Sequence, residues 1–395
     1  MKLINNPYIS LLIIGALIIS CSGPKNEDES FSGSKNKEAW EDSLKLASAL
    51  EMQSKIRHRI SAVIETEPVQ ESPNEDAADD PAIWYNQNNP DSSLIFGTNK
   101  KSGVHAYDLN GKEIEFYPFG KINNIDIRQN VLIGKDTLDI LSGSNRTDNS
   151  IILYKINKGG KLVPLLSQNH PIDLTIIDEV YGFSLYKNEN KIPFAIVNGK
   201  NGVIHQYQII NHPEKDSAFL QLANTWQLNS QPEGMVADDE LASLYIGEEE
   251  NGIWKIDLKN PQLPPAIIES SQQKNNPLIS YDIEGLAIYY GKNESGFLLA
   301  SIQGNFSYAF FDRHTNAYLG SFSIVAGEQI DGVEETDGLE IYSEAIGESF
   351  PHGLFVVQDG FNYDAGEKVG QNFKYISLED VTGLLEEKMA ELNEK

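Results

Sequence analysis

One type of short strand recurs along most of the chain, and each copy carries an aromatic residue near its middle. The copies read VHAYDL, IILYKI, VIHQYQ, GIWKID and SYAFFD. Their aromatic residues are 47, 53, 47 and 56 residues apart, at Tyr107, Tyr154, Tyr207, Trp254 and Phe310. Repeats of roughly 40–50 residues built from short strands are typical of β-propeller blades with four strands each. A less regular stretch from Gly353 to Val357 predicts a sixth blade.

The rest of the chain supports an all-β fold. From about Ile60, runs of Ile, Val, Tyr, Phe and Leu alternate with clusters of Asn, Gly, Asp and Lys. The repeat is slightly long for four strands, so we expect four- to five-stranded blades. With 395 residues and 40% hydrophobic content, the chain can bury a sizeable core. We therefore predict a six-bladed β-propeller over residues 60–385 and a polar tail over residues 386–395.

The N-terminus has the features of a targeting segment. Lys2 precedes an apolar run from Leu11 to Ile19, which is too short to span a bilayer. The run ends in Ile-Ser-Cys, which resembles a bacterial lipobox, and Cys21 is the only cysteine. We predict a lipoprotein signal peptide over residues 1–21, lipidation at Cys21 and a location in the bacterial cell envelope. An ordinary secretory signal peptide is the alternative.

Residues 22–59 are predicted to separate this anchor from the folded domain. The segment begins with Ser, Asn, Lys, Glu and Gly, which indicates a flexible tether. Trp40, Leu44, Ala47 and Leu50 then follow at helical spacing and predict a short stalk helix within residues 38–59.

The charge balance restricts the partners. The chain has 31 Lys and Arg against 58 Asp and Glu, which gives a net charge of −27. That charge disfavours a nucleic-acid partner, because phosphate backbones require basic surface. It suits a protein that gathers cations, or one that only needs solubility. A closed propeller has few free strand edges, so we predict a monomer.

Carboxylates mark the corners of several predicted blades. Asp76, Asp79 and Asp80 precede a predicted strand at Ala82, and an acid-glycine pair recurs at Glu233, Glu284 and Asp337. Because a propeller gathers one loop from every blade at each end of its channel, these acids can form one site. Converging carboxylates raise one another's pKa unless a cation neutralises them. Calcium accepts irregular cages of oxygen ligands, so it is the expected metal, with magnesium as the alternative.

Basic residues are interspersed among the acids. Lys100, Lys101, Arg146 and Lys200 occur in the same loops. Cations beside a metal site predict an anionic guest, above all a phosphate that Arg can bind through two N–H groups. The chain has neither a Walker loop nor an H-E-x-x-H helix, and its single cysteine precedes the folded region. A phosphate-ester hydrolase of this sequence would therefore depend on metal-activated water.

Ten segments together resemble the β-propeller phytases. In chain order they read DAADDPAIW, TNKKSGVHAYDLNGK, NNIDIR, SNR, DEVYGFSLY, EGMVADDE, SLYIGEEENGIWK, DIEGLAIYY, SIQGNFSY and TDGLE, and the likeness extends from about Glu65 to Tyr375. The resemblance implies calcium-dependent hydrolysis of phytate, myo-inositol hexakisphosphate, to lower inositol phosphates and inorganic phosphate. It further implies attack by a calcium-bridged water and an adjacent affinity site for a second phosphate of the same ring.

The resemblance also implies roles for individual residues. Those that hold the scissile phosphate are Lys100, Arg146 and Tyr181, with Gln303 nearby. Glu233 and Glu284 complete the expected catalytic set. Those on the second-phosphate side are Lys101 and Lys200. The expected ligands of catalytic calcium are Asp79, Glu233, Glu249, Asp282, Glu284 and Asp337. The expected ligands of structural calcium are Asp80, Asp331, Asp359 and Asn362.

Two positions depart from the family pattern. Asn201 stands where an acid is common, and Asp359 stands where an amide is common. Neither belongs to the expected catalytic set, so activity is expected to be retained.

Two other functions remain open at this point. One is a calcium-dependent lactonase or general phosphoesterase, although Lys100, Arg146 and Lys200 would have no anionic partner on a neutral lactone. The other is a surface propeller that binds polyanions or calcium without turnover.

Overall fold

The computed structural model describes residues 43–215 and 217–393, with side chains up to residue 385. The predicted signal peptide, Cys21 and the first part of the tether lie outside the described residues. The described chain begins with a helix over residues 43–53, and from Ser48 onward it belongs to one compact unit. No helix in the described ranges has the length and apolar character needed to cross a bilayer.

Six sheets follow one another along the chain. Two short strands come first, β1 (His58–Ile60) and β2 (Ile64–Glu65). Blade 1 contains β3 (Ala78–Trp84), β4 (Leu94–Asn99), β5 (Gly103–Tyr107) and β6 (Glu113–Tyr117). Blade 2 contains β7 (Ile122–Ile133), β8 (Asp136–Asn145), β9 (Ser150–Ile156), β10 (Leu162–Pro164) and β11 (His170–Pro171). Blade 3 contains β12 (Val180–Lys187), β13 (Pro193–Gly199), β14 (Val203–Asn211) and β15 (Ala218–Gln227).

The second half repeats the pattern. Blade 4 contains β16 (Pro232–Asp238), β17 (Ser243–Glu248), β18 (Gly252–Asp257) and β19 (Ala266–Ile267). Blade 5 contains β20 (Ile283–Tyr290), β21 (Gly296–Ile302), β22 (Ser307–Asp312) and β23 (Tyr318–Ile324). Blade 6 contains β24 (Leu339–Tyr342), β25 (Leu354–Asp359) and, after a hairpin of β26 (Tyr363–Asp364) and β27 (Glu367–Lys368), β28 (Asn372–Ser377).

The first strand of each blade lies innermost, and these strands contact one another in a closed ring. The ring runs β3, β7, β12, β16, β20, β24 and back to β3. This arrangement confirms the predicted six-bladed propeller. Buried side chains fill the space between neighbouring blades, as where Phe297 and Phe322 of blade 5 pack with Leu339 and Phe355 of blade 6.

The repeated aromatic residues mark one structural position. They lie on β5, β9, β14, β18 and β22, the third strand of blades 1 to 5. In blade 6, Gly353–Val357 instead leads into and forms most of β25, the second strand. The third strand there is β28, which contains Tyr375. The hairpin of β26 and β27, inserted between these two strands, displaces the aromatic residue from the expected spacing.

The N-terminal strands complete two blades. β2 pairs antiparallel with β28, with Ile64 opposite Tyr375, and supplies the outermost strand of blade 6. β1 pairs parallel with β23 of blade 5. β2, which precedes blade 1 in the chain, therefore completes blade 6 and closes the ring. At the other end of the chain, a C-terminal helix (Leu378–Asn393) buries Leu378 and Val381.

Candidate functional site

The innermost strands share a β-bulge near their first residues. In blades 1 to 5 the register shifts between Ala78 and Pro81 of β3 and at the corresponding points of the next four inner strands. A bulge redirects a side chain that would otherwise follow the strand's alternation. The first residue of each bulge, with its counterpart before β24, forms a set that we call the inner ring: Asp79, Asn123, Tyr181, Glu233, Glu284 and Asp337.

The bulge explains why acids of the first motif are buried. Asp79 and Asp80 lie inside β3 and are 1% and 9% exposed. The sequence predicts that these acids precede a strand beginning at Ala82. In the structure the strand begins four residues earlier, at Ala78, and includes them.

Glycine follows the inner-ring residue in blades 3 to 6 because the backbone of the next blade lies against it. A Cβ on Gly182 would lie 1.8 Å from the Glu233 carbonyl oxygen, and one on Gly234 would lie 2.1 Å from that of Glu284. A Cβ on Gly285 or Gly338 would meet the Asp337 or Asp79 oxygen at 2.7 and 2.6 Å. The acid-glycine pairs in the sequence are therefore contacts between blades as well as site residues.

A second ring surrounds the first, at the end of the second strand of each blade. There one backbone N–H donates to a carbonyl just before the inner strand, as from Lys100 to Ala77 at 2.8 Å. The same bond recurs in every blade, and it defines an outer ring of Lys100, Arg146, Lys200, Glu249, Gln303 and Gly360. The fold thus brings residues from six distant segments to one end of the channel.

The two rings divide the charge. Blades 1 to 3 supply the outer-ring cations Lys100, Arg146 and Lys200, which we call the cationic half. The remaining blades, with Asp79 of blade 1, supply a carboxylate half: Asp79, Glu233, Glu249, Glu284 and Asp337. A cleft of about 380 Å³ opens beside the carboxylate half, and its walls include Lys100 of the cationic half but not Arg146 or Lys200. Of the predicted site residues, its walls include Lys100, Tyr181, Glu233, Glu249, Asp282, Glu284, Gln303 and Asp337.

The carboxylate half is arranged to hold a cation. Oxygens of Glu233, Glu249 and Glu284 lie within 4.8 Å of one another. Among the residues that the structure describes, buried Asp79 Oδ2 and Glu284 Oε2 have no hydrogen-bond partner. A buried carboxylate oxygen without a donor is costly, and a hard metal ion would satisfy it. The residues present therefore fit a divalent metal.

Burial favours the protonated form of these carboxyl groups while no cation is bound, because it raises their pKa. Burial raises the pKa of Glu284 well above its usual range, and the charge of Glu233 adds to the effect. Burial raises the pKa of Asp337 to about 7, although Lys100 opposes the shift. The pKa of Glu249 also rises to about 7, chiefly through burial, with Gln231 opposing.

In the cationic half, protein carboxylates hold each cation. Lys100 Nζ lies 2.9 Å from Asp76 and 3.2 Å from Asp337. Gln303 donates to the other oxygen of Asp337 at 2.5 Å. These contacts place Lys100 and Gln303 on the border between the two halves.

Arg146 lies at the centre of the cationic half. Its Nε and Nη2 atoms donate to Glu179 Oε1 at 2.6 and 2.5 Å, and Nη1 donates to Asn123 at 3.2 Å. Asn123 in turn donates to Glu233 at 3.1 Å. The ring of Tyr181 lies 5.6 Å from the Arg146 guanidinium carbon and 4.5 Å from Lys200 Nζ.

The remaining predicted residues lie around this centre. Lys101 pairs with Glu75 at 3.1 Å, and Lys200 pairs with Glu179 at 3.5 Å. Asp80 accepts from the backbone N–H of Ile125 at 3.0 Å.

The expected structural-calcium residues form a separate cluster around a buried lysine. Lys374 Nζ contacts Asp331, Asp359 at 3.2 Å and Glu65 at 3.3 Å. Asn362 donates to the Gly370 carbonyl at 2.7 Å. Burial lowers the pKa of Lys374 to about 8, against the charge of Glu65. An ammonium group of the chain therefore neutralises carboxylates for which the sequence predicts a metal.

Sequence reasoning missed Asn123, Glu179 and Lys374. Asn123 occurs in a motif that was recognised, but its amide gave no sign of the inner-ring position that it shares with five other residues. Alignment of blades 1 to 5 on their bulges would have found it. The contacts of Glu179 and Lys374 depend on the fold, and no local pattern indicates them.

Comparisons with known proteins show the family to which the chain belongs. The family described as Phytase matches residues 38–395. A curated 3-phytase from Bacillus subtilis (strain 168) is 43% identical over 328 residues, covering 82% of this chain and 84% of that protein. A solved structure of BBS1N in complex with ARL6DN, soaked with lead, is 11% identical, with a TM-score of 0.44, and covers 75% of this chain and 78% of that one. That last similarity is too low to bear on fold or function. The family match and the curated relative confirm the predicted resemblance, and the chain belongs to the β-propeller phytase family of phosphate-ester hydrolases.

Proposed function

We propose that this protein hydrolyses phytate to lower inositol phosphates and inorganic phosphate, with calcium as its metal. The observation that carries the proposal is that a cationic half and a carboxylate half meet at one end of the channel. Either half alone is common on protein surfaces. Together they provide for a phosphate group and for the metal that neutralises it. The curated relative is named a 3-phytase, which supports the same substrate.

The cationic half suits a substrate with several phosphates. Lys100 and Arg146 can neutralise the oxygens of one phosphoryl group, and Arg146 offers planar N–H geometry for it. Lys200 and Lys101 lie in the neighbouring turns, where a second phosphate of the same ring could bind. A neutral lactone carries no charge for these cations to bind, so a lactonase is disfavoured.

The carboxylate half suits calcium. Glu233, Glu249, Glu284, Asp337 and Asp79 provide oxygen ligands in an irregular arrangement, which calcium tolerates better than magnesium does. Bound calcium supplies positive charge beside the phosphoryl oxygens and activates water as the nucleophile.

The chain's own residues would then position the phosphate for in-line attack. A water oxygen forms a bond to phosphorus and gives up a proton, the ester P–O bond breaks, and the ring oxygen takes up a proton and leaves as an alcohol. Arg146 and Lys100 stabilise charge on the phosphoryl oxygens, and Asn123 holds Arg146 in place. Gln303 holds Asp337 in place through its hydrogen bond, and Asp79 and Asp282 would add oxygen ligands for the metal.

The test is phosphate release from phytate at neutral pH with added calcium or with a chelator. We expect release only with calcium, and a roughly 100-fold loss of kcat/KM in Arg146→Ala, as when a preorganised charge-stabilising group is removed. Lys161→Ala is the matched control, because Lys161 pairs with Glu115 at the surface. Folded protein that binds phytate without turnover would favour a binding propeller. Equal activity on simple monoesters would favour a general phosphoesterase.

We also propose that Asp331, Asp359 and Asn362 form a structural-calcium site, with Asp80 as a separate structural ligand. For the first site, calcium would compete with Lys374 for the same carboxylates. Equal calcium stabilisation of wild type and Asp331→Asn would remove this assignment.

The location proposed for the protein is the cell envelope, through a lipid on Cys21, with the propeller acting as a monomer. The apolar run and lipobox-like ending of the N-terminus support it. Cys21→Ser should move the protein from the membrane to the soluble fraction. Unchanged membrane association of that variant would contradict lipidation.

A further inference from the structure

Glu179 occupies the place where an anionic substrate would contact the cationic half. It lies directly before β12, at the position whose carbonyl accepts the outer-ring hydrogen bond of Lys200 at 3.3 Å. The corresponding positions in blades 1, 2, 4 and 5 are Ala77, Lys121, Gln231 and Asp282. Glu179 is thus a carboxylate between two cations, and the cationic half contains no metal-site ligand that would account for it.

The contacts of Glu179 resemble those of a bound phosphate. One oxygen accepts from both Nε and Nη2 of Arg146, and the other lies 3.5 Å from Lys200 Nζ. The Arg146 guanidinium has a second partner in Asn123, so all three of its nitrogens are occupied. A phosphoryl group that binds Arg146 through this edge must displace the carboxylate.

The side chain of Glu179 is exposed enough to move away from Arg146 and Lys200. It is 38% exposed, against 25% for Arg146 and 32% for Lys200. Exposed ion pairs contribute little net free energy, so exchange for a more highly charged anion is favourable. Blade 1 contains similar ion pairs with exposed acids: Asp76 pairs with Lys100, and Glu75 pairs with Lys101.

We propose that Glu179 is an internal substitute for substrate phosphate, which holds Arg146 and Lys200 in position and sets the affinity for the anionic substrate by competing with it. The proposal rests on the proposed phytate hydrolysis. It makes Glu179 a determinant of affinity, through Arg146 and Lys200, and gives it no contact with the reacting atoms. Weakly charged anions would fail to displace it, so it also favours substrates with several phosphates.

The test compares Glu179→Gln with wild type in calcium, by the kinetics of phosphate release from phytate and by calorimetric titration with inorganic phosphate. Removal of the competing charge should lower KM for phytate and the dissociation constant for inorganic phosphate by about fivefold, with kcat within twofold. Glu115→Gln is the matched control, because Glu115 is 35% exposed and pairs with Lys161 away from the cleft. Both of its constants should equal those of wild type.

A second variant separates direct competition from general repulsion. Glu179→Asp keeps the charge but is one methylene shorter, so it cannot reach both cations. A lower KM in this variant supports displacement, whereas a wild-type KM would show that only the charge matters and would overturn the proposal. A Glu179→Gln variant with lower kcat and an unchanged or higher KM would also overturn it, by making Glu179 an orienting partner of Arg146. Wild-type protein that releases no phosphate would instead refute the proposed function.

Discussion

At the scale of single residues, the site contains buried carboxylates that the protein's own cations do not fully neutralise. Asp79 and Glu284 are nearly inaccessible, and each has one oxygen without a partner among the described residues. Burial of such groups opposes folding unless they are protonated or bind a cation. The metal-free site is therefore electrostatically strained, and a divalent cation relieves the strain.

The residue types of this site were predictable, but their pairing was not. Glu233, Glu284 and Asp337 can be recognised in the sequence because a glycine follows each of them. The backbone of the next blade leaves no room for a larger residue at that glycine. Arg146 and Lys200 were recognised as phosphate-binding candidates. Their contact with Glu179 arises only when blades 2 and 3 come together, so no local sequence pattern contains it.

A residue-scale prediction concerns Glu340, which lies near the opposite end of the channel. Burial and the charge of Asp126 raise its pKa to about 8 from an ordinary 4.5, although Arg128 opposes the shift. The folded protein therefore holds a proton there that the unfolded chain releases, and its stability falls as the pH rises from about 4.5 to 8. Above pH 8 the buried carboxylate is charged and its full cost is present.

Glu340→Gln should therefore be more stable than wild type at pH 9, by roughly 1–2 kcal/mol, and this advantage should shrink at pH 6. Urea unfolding at the two pH values measures the difference. Glu344→Gln, at an exposed position of the same opening, should change neither value. An identical pH dependence in Glu340→Gln and wild type would contradict the assignment.

At the scale of elements, each blade contributes the same two positions to the site. The bulge of the inner strand fixes one, and the turn after the second strand fixes the other. The repeat of aromatic residues predicted the blades because the third strand has a constant place between them. Blade 6 could not be predicted in detail, because its outer strand comes from Ile64–Glu65 and its second and third strands are separated by an inserted hairpin.

Gly234→Ala tests whether the bulges and the packing between blades are coupled. The new Cβ would lie 2.1 Å from the Glu284 carbonyl oxygen, so blades 4 and 5 must move apart. We expect a loss of about 3 kcal/mol in the free energy of unfolding, with weaker metal binding because Glu233 and Glu284 shift. Gly383→Ala is the control, because nothing lies within 4 Å of the added methyl group. Equal stability of the two variants would show that blades 4 and 5 do not depend on this contact.

At the scale of the whole molecule, a net charge of −27 opposes the compact state, and cation binding offsets part of that repulsion. The composition predicts the sign of this effect but not how the charges are distributed in the fold. Lys374 and Arg313 neutralise buried carboxylates from within the chain, at Asp359 and Asp238. In the carboxylate half, Lys100 pairs with Asp337, and Lys368 is the other cation in the walls of the cleft.

Calcium removal should consequently destabilise the entire propeller. Ions that bind only the folded state raise its stability by mass action. We expect a chelator to lower the Tm by roughly 5 °C or more, with calcium restoring it and equimolar magnesium restoring less. Scanning calorimetry of the purified protein measures this shift. A Tm that does not respond to chelator would contradict calcium binding at these carboxylates.

The central claim is that one half of the ring binds the metal and the other half binds phosphate. Calorimetric titration with calcium, in the absence of substrate, tests it most directly when Glu284→Gln and Arg146→Ala are compared with wild type. The account predicts at least a tenfold weaker calcium affinity in Glu284→Gln, which loses a ligand and the charge on it, and an affinity within about twofold of wild type in Arg146→Ala. An equal loss of calcium affinity in the two variants, or no loss in Glu284→Gln, would contradict the division of the ring into a metal-binding half and a phosphate-binding half.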